Sequence, residues 1–124
     1  MAKKILIVDD EPEIVGILKF RLSSWGYETL SALNGEEALK VAATEKPDLI
    51  LLDVMMPGMS GFEVLKKLKS QDITKAIPVI MVTVAAARAE MERGLKEGAA
   101  YYLTKPYDAS ELLERIKKLL GADL

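Results

Sequence analysis

Five residues that can carry chemistry each stand at the end of a short apolar run. Asp9 and Asp10 follow Ile5-Leu6-Ile7-Val8, and Asp53 follows Leu49-Ile50-Leu51-Leu52. Thr83 follows Val79-Ile80-Met81-Val82, and Lys105 follows Tyr101-Tyr102-Leu103-Thr104. Singly, each has an ordinary reading: a helix cap for Asp9 or Asp10, a turn residue before Pro57-Gly58 for Asp53, a β-branched strand position for Thr83, a solvated surface lysine for Lys105. Gathered in one crevice they mean something else. Carboxylates so close raise one another's pKa and call for a cation. Hard oxygen donors with room for water suit Mg²⁺. A metal to polarise phosphoryl oxygens, a lysine and a threonine to contact the others, and a carboxylate as nucleophile are the parts of phosphoryl transfer. The chain has no cysteine and no histidine, which removes thiolate and imidazole chemistry, Ser-His-Asp triads and zinc sites built on those ligands.

These residues need elements to hold them. The 124 residues are 50% hydrophobic and 29% charged, the balance of one folded domain, and the net charge of −2 gives no basic excess for nucleic acid or membrane surfaces. Short apolar runs alternate with amphipathic stretches. A helix is expected from Pro12 to Ser24, with Ile14, Ile17, Leu18, Arg21 and Leu22 at spacings of three and four, ending at Gly26. A weaker strand covers Glu28–Ala32. Asn34 with Glu37, Ser60 with Glu63 and Asp108 with Glu111 have capping-box spacing and open three further helices. Residues 85–97 read as a helix by propensity, ended by Gly98.

The first, third and fourth strands are apolar throughout, which implies burial on both faces and a parallel sheet between helical layers. The expected fold is α/β: a doubly wound, flavodoxin-like five-stranded parallel sheet, order 2-1-3-4-5, with five helices on both faces. In such sheets ligands bind beyond the carboxyl ends of the strands, where the five residues fall. The second strand, at the outer edge, delivers nothing chemical. The start, MAKKILIVDDEPE, has too short an apolar run for a signal peptide, and no run is long enough to span a membrane, so a cytoplasmic protein is expected.

The motifs ILIVDDEPE, PDLILLDVMMPGMSGFEVLKKLK, PVIMVT and GAAYYLTKPY, in this order and spacing, resemble the receiver domain of two-component response regulators across residues 3–120. The resemblance implies a single receiver domain over residues 1–124. It makes Asp53 the phosphoacceptor, taking a phosphoryl group from a phosphohistidine on a sensor histidine kinase or phosphotransfer protein. Asp9, Asp10, Asp53 and the backbone carbonyl of Met55 would hold Mg²⁺. Lys105, before a cis bond to Pro106, would pair with the phosphoryl group. Thr83 would hydrogen-bond a phosphoryl oxygen, and Tyr102 would be the switch aromatic that turns inward as Thr83 moves. The face of the fourth helix, fifth strand and fifth helix would then engage an output partner or a fused effector domain. One charge-assisted hydrogen bond, about 1.5–3 kcal/mol, gives a partial shift of that equilibrium without a partner.

Several positions depart from the family's commoner pattern. Val84 stands where alanine is usual, and Met55 and Ala85 offer no polar group where side chains tune hydrolysis, which implies a long-lived phosphoryl group. Ala100-Tyr101 replaces the usual acidic pair. The small residues Ala85, Ala86, Ala87 and Ala89 either reflect helix propensity or leave a groove for a partner. Trp25, about 20 Å along the first helix from the acids, is expected to respond weakly to Mg²⁺. Two rival readings remain: a phosphatase with an aspartate nucleophile, which Met55 disfavours for want of a second acid, and a flavin- or nucleotide-binding module, which the acidic Asp9-Asp10-Glu11-Pro12 turn disfavours.

Overall fold

The computed structural model describes residues 2–84 and 88–121, with the side chains of 88–91 outside the description. Ten elements alternate along the chain: β1 (Lys4–Val8), α1 (Pro12–Ser24), β2 (Glu28–Ala32), α2 (Gly35–Glu45), β3 (Leu49–Asp53), α3 (Gly61–Lys69), β4 (Val79–Val84), α4 (Arg88–Lys96), β5 (Tyr101–Lys105) and α5 (Ala109–Leu120). All strand pairs are parallel, in the order β2-β1-β3-β4-β5. The expected doubly wound sheet is the one observed. The apolar runs are central because a strand buried on both faces has no use for polar alternation, and every residue of β3 is buried.

Alternation along the strands divides the core in two. Leu6, Val8, Ile50, Leu52, Val79, Met81 and Tyr102 pack with α2 and α3 residues such as Ala38, Ala42, Phe62, Leu65 and Leu68. Ile5, Ile7, Leu49, Leu51, Ile80, Val82 and Leu103 pack on the other side, with Val15, Leu18 and Leu22 of α1 and Leu112 and Ile116 of α5. Among described residues, no helix is long and apolar enough to cross a membrane.

Local signals account for most boundaries. Ser60 and Glu63 form a complete capping box at α3. At α2 the Asn34 side chain accepts from Glu37 N–H at 2.9 Å, but Glu37 Oε1 reaches back to Leu33 N–H at 2.7 Å, one residue beyond the cap. At α5 the expected box does not form: Asp108 occupies the cap position with no side-chain cap hydrogen bond. Gly26 and Gly98 follow α1 and α4 at φ of 96° and 113°, the left-handed region that glycine enters freely. The inward stripe of α1 is rotated from the expected one. Val15, Leu18 and Leu22 are buried, while Ile17 is 56% exposed. Positions 15, 18 and 22 have the same three-and-four spacing as 14, 17/18 and 21, so periodicity alone does not choose between them.

The segment before β4 is tied to α3. Lys69 Nζ donates to the carbonyls of Lys75 (3.0 Å) and Ile77 (2.9 Å), and burial pushes its pKa down. Thr74 Oγ1 donates to Leu68 O at 2.7 Å. These bonds fix where β4 starts, and thus where its far end stops.

Candidate functional site

At the carboxyl edge of β1 and β3, oxygens of Asp9, Asp10 and Asp53 lie within 4.8 Å of one another, the one acidic cluster among the described residues suited to a metal ion. Asp9 and Asp53 are buried, and Asp10 is half-buried. The sheet register explains the meeting: Val8 pairs with Leu52, so the residues one step on, Asp9 and Asp53, leave the sheet side by side. Both continue the alternation of the α1/α5 side of the core.

Each carboxylate has a defined tether. Asp9 Oδ1 accepts the N–H of Glu11 at 2.9 Å, just before α1 begins. This is the turn role expected of a lone aspartate at a strand end, performed by Asp9 while its other oxygen, Oδ2, faces Lys105 Nζ at 3.6 Å. Asp53 Oδ1 accepts the N–H of Met55 at 3.3 Å. Lys105 ends β5 and precedes a cis bond to Pro106, as the resemblance implies.

The site is short of positive charge. Burial is the main cause that pushes Asp53 up to about 6 from the usual 3.8. The Lys105 ammonium and the Met55 N–H pull the other way, while Asp9 and Asp10 add to the rise. Three carboxylates and one ammonium thus leave an acidic, oxygen-only pocket. That donor set fits a hard divalent cation such as Mg²⁺ and does not fit a soft one. Beside it lies a cavity of about 20 Å³, lined by Asp9, Asp53, Lys105 and Tyr107 among others, room for about one water.

Thr83 and Tyr102 are placed differently. Both are buried, but by strand alternation they belong to the α2/α3 side, with Met81 and opposite to Val82. Register pairs Asp53 with Val82, so Thr83 is one step beyond and on the other side of the strand. Asp9, Asp10, Asp53 and Lys105 gather at one point, and Thr83 stands near the end of the neighbouring strand beside them. Met55 is 63% and Val84 58% exposed, both hydrophobic side chains bare to solvent. Ala85, Ala86 and Ala87 lie outside the described residues, as does the side chain of Ala89, and with them the expected groove. Trp25 caps the far end of α1, away from the acids.

Two residues at the site carry roles that sequence reasoning did not assign. Tyr107 lines the cavity, its phenol pushed up first by burial. Gly61 opens α3 against the backbone of the acid strand: its N–H donates to Val54 O at 3.0 Å, and a Cβ there would stand against the Asp53 carbonyl and 2.7 Å from Val54 Cα. A glycine directly after a capping serine is the signal for the second. Tyr101, in place of an acid, is held to α5: Arg115 Nη1 donates to its hydroxyl at 2.6 Å and the guanidinium lies 4.0 Å over the ring centroid.

Comparison with known proteins gives one answer. The model of the response regulator receiver domain matches residues 5–117. A curated relative, the alkaline phosphatase synthesis transcriptional regulatory protein PhoP of Bacillus subtilis, is 47% identical over 120 residues, 97% of this chain and 49% of that protein. The chain thus spans about half the length of that relative. Among solved structures, Vibrio cholerae chemotaxis protein CheY4 superposes with a TM-score of 0.90 at 34% identity, covering 97% of this chain and all of that one (100%). The receiver domain of sensor histidine kinase PA1611 from Pseudomonas aeruginosa, whose active-site cleft coordinates a magnesium ion, superposes with a TM-score of 0.89 at 27% identity, covering 98% and 100%.

Proposed function

This chain belongs to the response regulator receiver domain family, and from that premise we propose that Asp53 is its phosphoacceptor and residues 1–124 its receiver unit. Members of the family are signalling modules of two-component systems, phosphorylated on an aspartate, rather than turnover enzymes. That sets aside the phosphatase and flavin-module readings.

In the proposed reaction a carboxylate oxygen of Asp53 attacks the phosphorus of a phosphohistidine on a sensor histidine kinase. The P–O bond forms as the P–N bond breaks, and the imidazole leaves on the donor. A carboxylate titrating at about 6 is mostly ionised at neutral pH, and its raised basicity makes it the better nucleophile. Asp9, Asp10, Asp53 and the Met55 carbonyl would hold Mg²⁺, which supplies Lewis-acid stabilisation of the phosphoryl oxygens. Lys105 moves its ammonium from Asp9 toward the new phosphoryl group. The single observation that carries this reading is the meeting of three carboxylates with one ammonium at the sheet's carboxyl edge.

Thr83 then turns to donate its hydroxyl to a phosphoryl oxygen, and the space it vacates lies toward Tyr102. That movement remodels the face of α4, β5 and α5, the proposed contact for an output partner or effector domain. Met55 and Ala85 offer no polar side chain to orient attacking water, so the phosphoryl group persists. Intact mass after incubation with acetyl phosphate and Mg²⁺ tests the proposal. One phosphoryl adduct is expected, absent with chelator and absent in Asp53→Asn. An adduct retained in Asp53→Asn would refute it, and decay within seconds would refute the persistence.

A further inference from the structure

We propose that Gly94 is a positioning residue for Tyr102: the bare Cα at this point of α4 is the seat of the tyrosine ring. A Cβ at Gly94 would stand 3.1 Å from Tyr102 Cε2, 3.2 Å from Cδ2 and 3.3 Å from Met81 Sδ, all tighter than ordinary contact. Tyr102 is 8% exposed, so the ring has little room to retreat, and it shares its side of the sheet with Thr83. Glycine in a helix interior is a poor helix former, and its presence calls for a packing reason. The same chain holds a matched control. Gly16 is also inside a helix, α1, and a Cβ there meets nothing within 4 Å. The helix penalty is common to both glycines, and Gly94 alone has a ring filling the missing side chain's place. The proposal deepens the receiver reading, since it gives Gly94 the task of admitting the inward position of the switch aromatic.

Two measurements on the whole chain test it. In urea denaturation, Gly16→Ala is expected to raise the midpoint, whereas Gly94→Ala leaves it unchanged or lowers it. In a Tyr102→Ala background Gly94→Ala is expected to raise the midpoint as Gly16→Ala does, because the ring is gone. Gly94→Ala raising the midpoint with Tyr102 present would overturn the seat. For the switch, the protein carrying fluorotyrosine is titrated with beryllofluoride, a phosphoryl mimic, in Mg²⁺. Gly94→Ala is expected to shift the Tyr102 fluorine resonance and weaken apparent beryllofluoride affinity roughly threefold or more, since any coupling between ring position and the acid pocket is reciprocal. Gly16→Ala is expected to do neither. An unchanged or tighter affinity in Gly94→Ala would overturn the positioning role. Wild-type protein that binds no beryllofluoride would instead overturn the receiver reading itself, before any variant is made.

Discussion

The two sides of the sheet's carboxyl edge are built on opposite principles. On the α1/α5 side, Asp9 and Asp53 face Lys105 with more negative than positive charge, next to a cavity of about 20 Å³. On the α2/α3 side, Thr83 and Tyr102 sit in close apolar packing, where a single added methyl at Gly94 is crowded. The first side is unstable toward charge, the second toward volume. β4 joins them, because its neighbours Val82 and Thr83 point to opposite sides. In the proposed switch, a charge added to Asp53 on one side is felt as a vacancy on the other once Thr83 turns. Side chains on one strand end make this coupling short.

If the comparison holds, perturbing the charged side must give pH- and cation-dependent effects, and perturbing the packed side must not. The largest effect is expected at Asp53. Its folded-state pKa, about 6, lies above the usual 3.8. Between those values the folded protein holds more protons than the unfolded one, so metal-free stability falls as pH rises from about 4 through about 6. Asp53→Asn removes that slope. With chelator at pH 7 it is expected to be more stable than wild type by on the order of 2–3 kcal/mol, a gain that shrinks to nearly nothing at about pH 4. Mg²⁺ is expected to restore wild type and leave the variant little changed. Urea midpoints at the two pH values check this, and a pH-independent gain would break the distinction between the two sides.

Gly61→Ala comes next. Its Cβ would press on backbone atoms of Asp53 and Val54, which have no rotamer to escape into. A loss of about 2 kcal/mol is expected by chemical denaturation with chelator, and a larger one in Mg²⁺, because the displaced backbone carries the Asp53 carboxylate. The smallest effect is expected at the α3–α4 contact, where the Arg93 guanidinium lies 4.5 Å over the Phe62 ring centroid. Arg93→Ala should cost about 0.5–1 kcal/mol, the same with and without Mg²⁺. A Mg²⁺-dependent loss in Arg93→Ala would mean that the packed side also feels the charge directly.

The sheet was legible because three strands carry unbroken four-residue apolar runs, Ile5–Val8, Leu49–Leu52 and Val79–Val82, a pattern that two-sided burial explains. The meeting of Asp9 with Asp53 was legible for the same reason: both follow runs that must lie side by side. The side on which Thr83 sits was not read, because it depends on strand register and parity, which a list of residues at strand ends does not contain. The exposed Ile17 was misplaced because two helical stripes one residue apart have equal spacing. Asp108 lacked its box because cap spacing states what a side chain can reach, not what it does reach. Gly61 stands directly after the capping Ser60, but Gly94 was invisible in another way. A glycine chosen for close approach looks in sequence like any other, and its neighbours come from remote segments.

In the proposed reaction one carboxylate, Asp53, receives the phosphoryl group while its acidic neighbours do not. Borohydride reduction of acetyl-phosphate-treated protein converts an acyl phosphate to homoserine, and peptide mapping then locates it. Homoserine is expected at position 53, with unaltered aspartate at 9 and 10. Homoserine at either of those positions, with 53 intact, would contradict it.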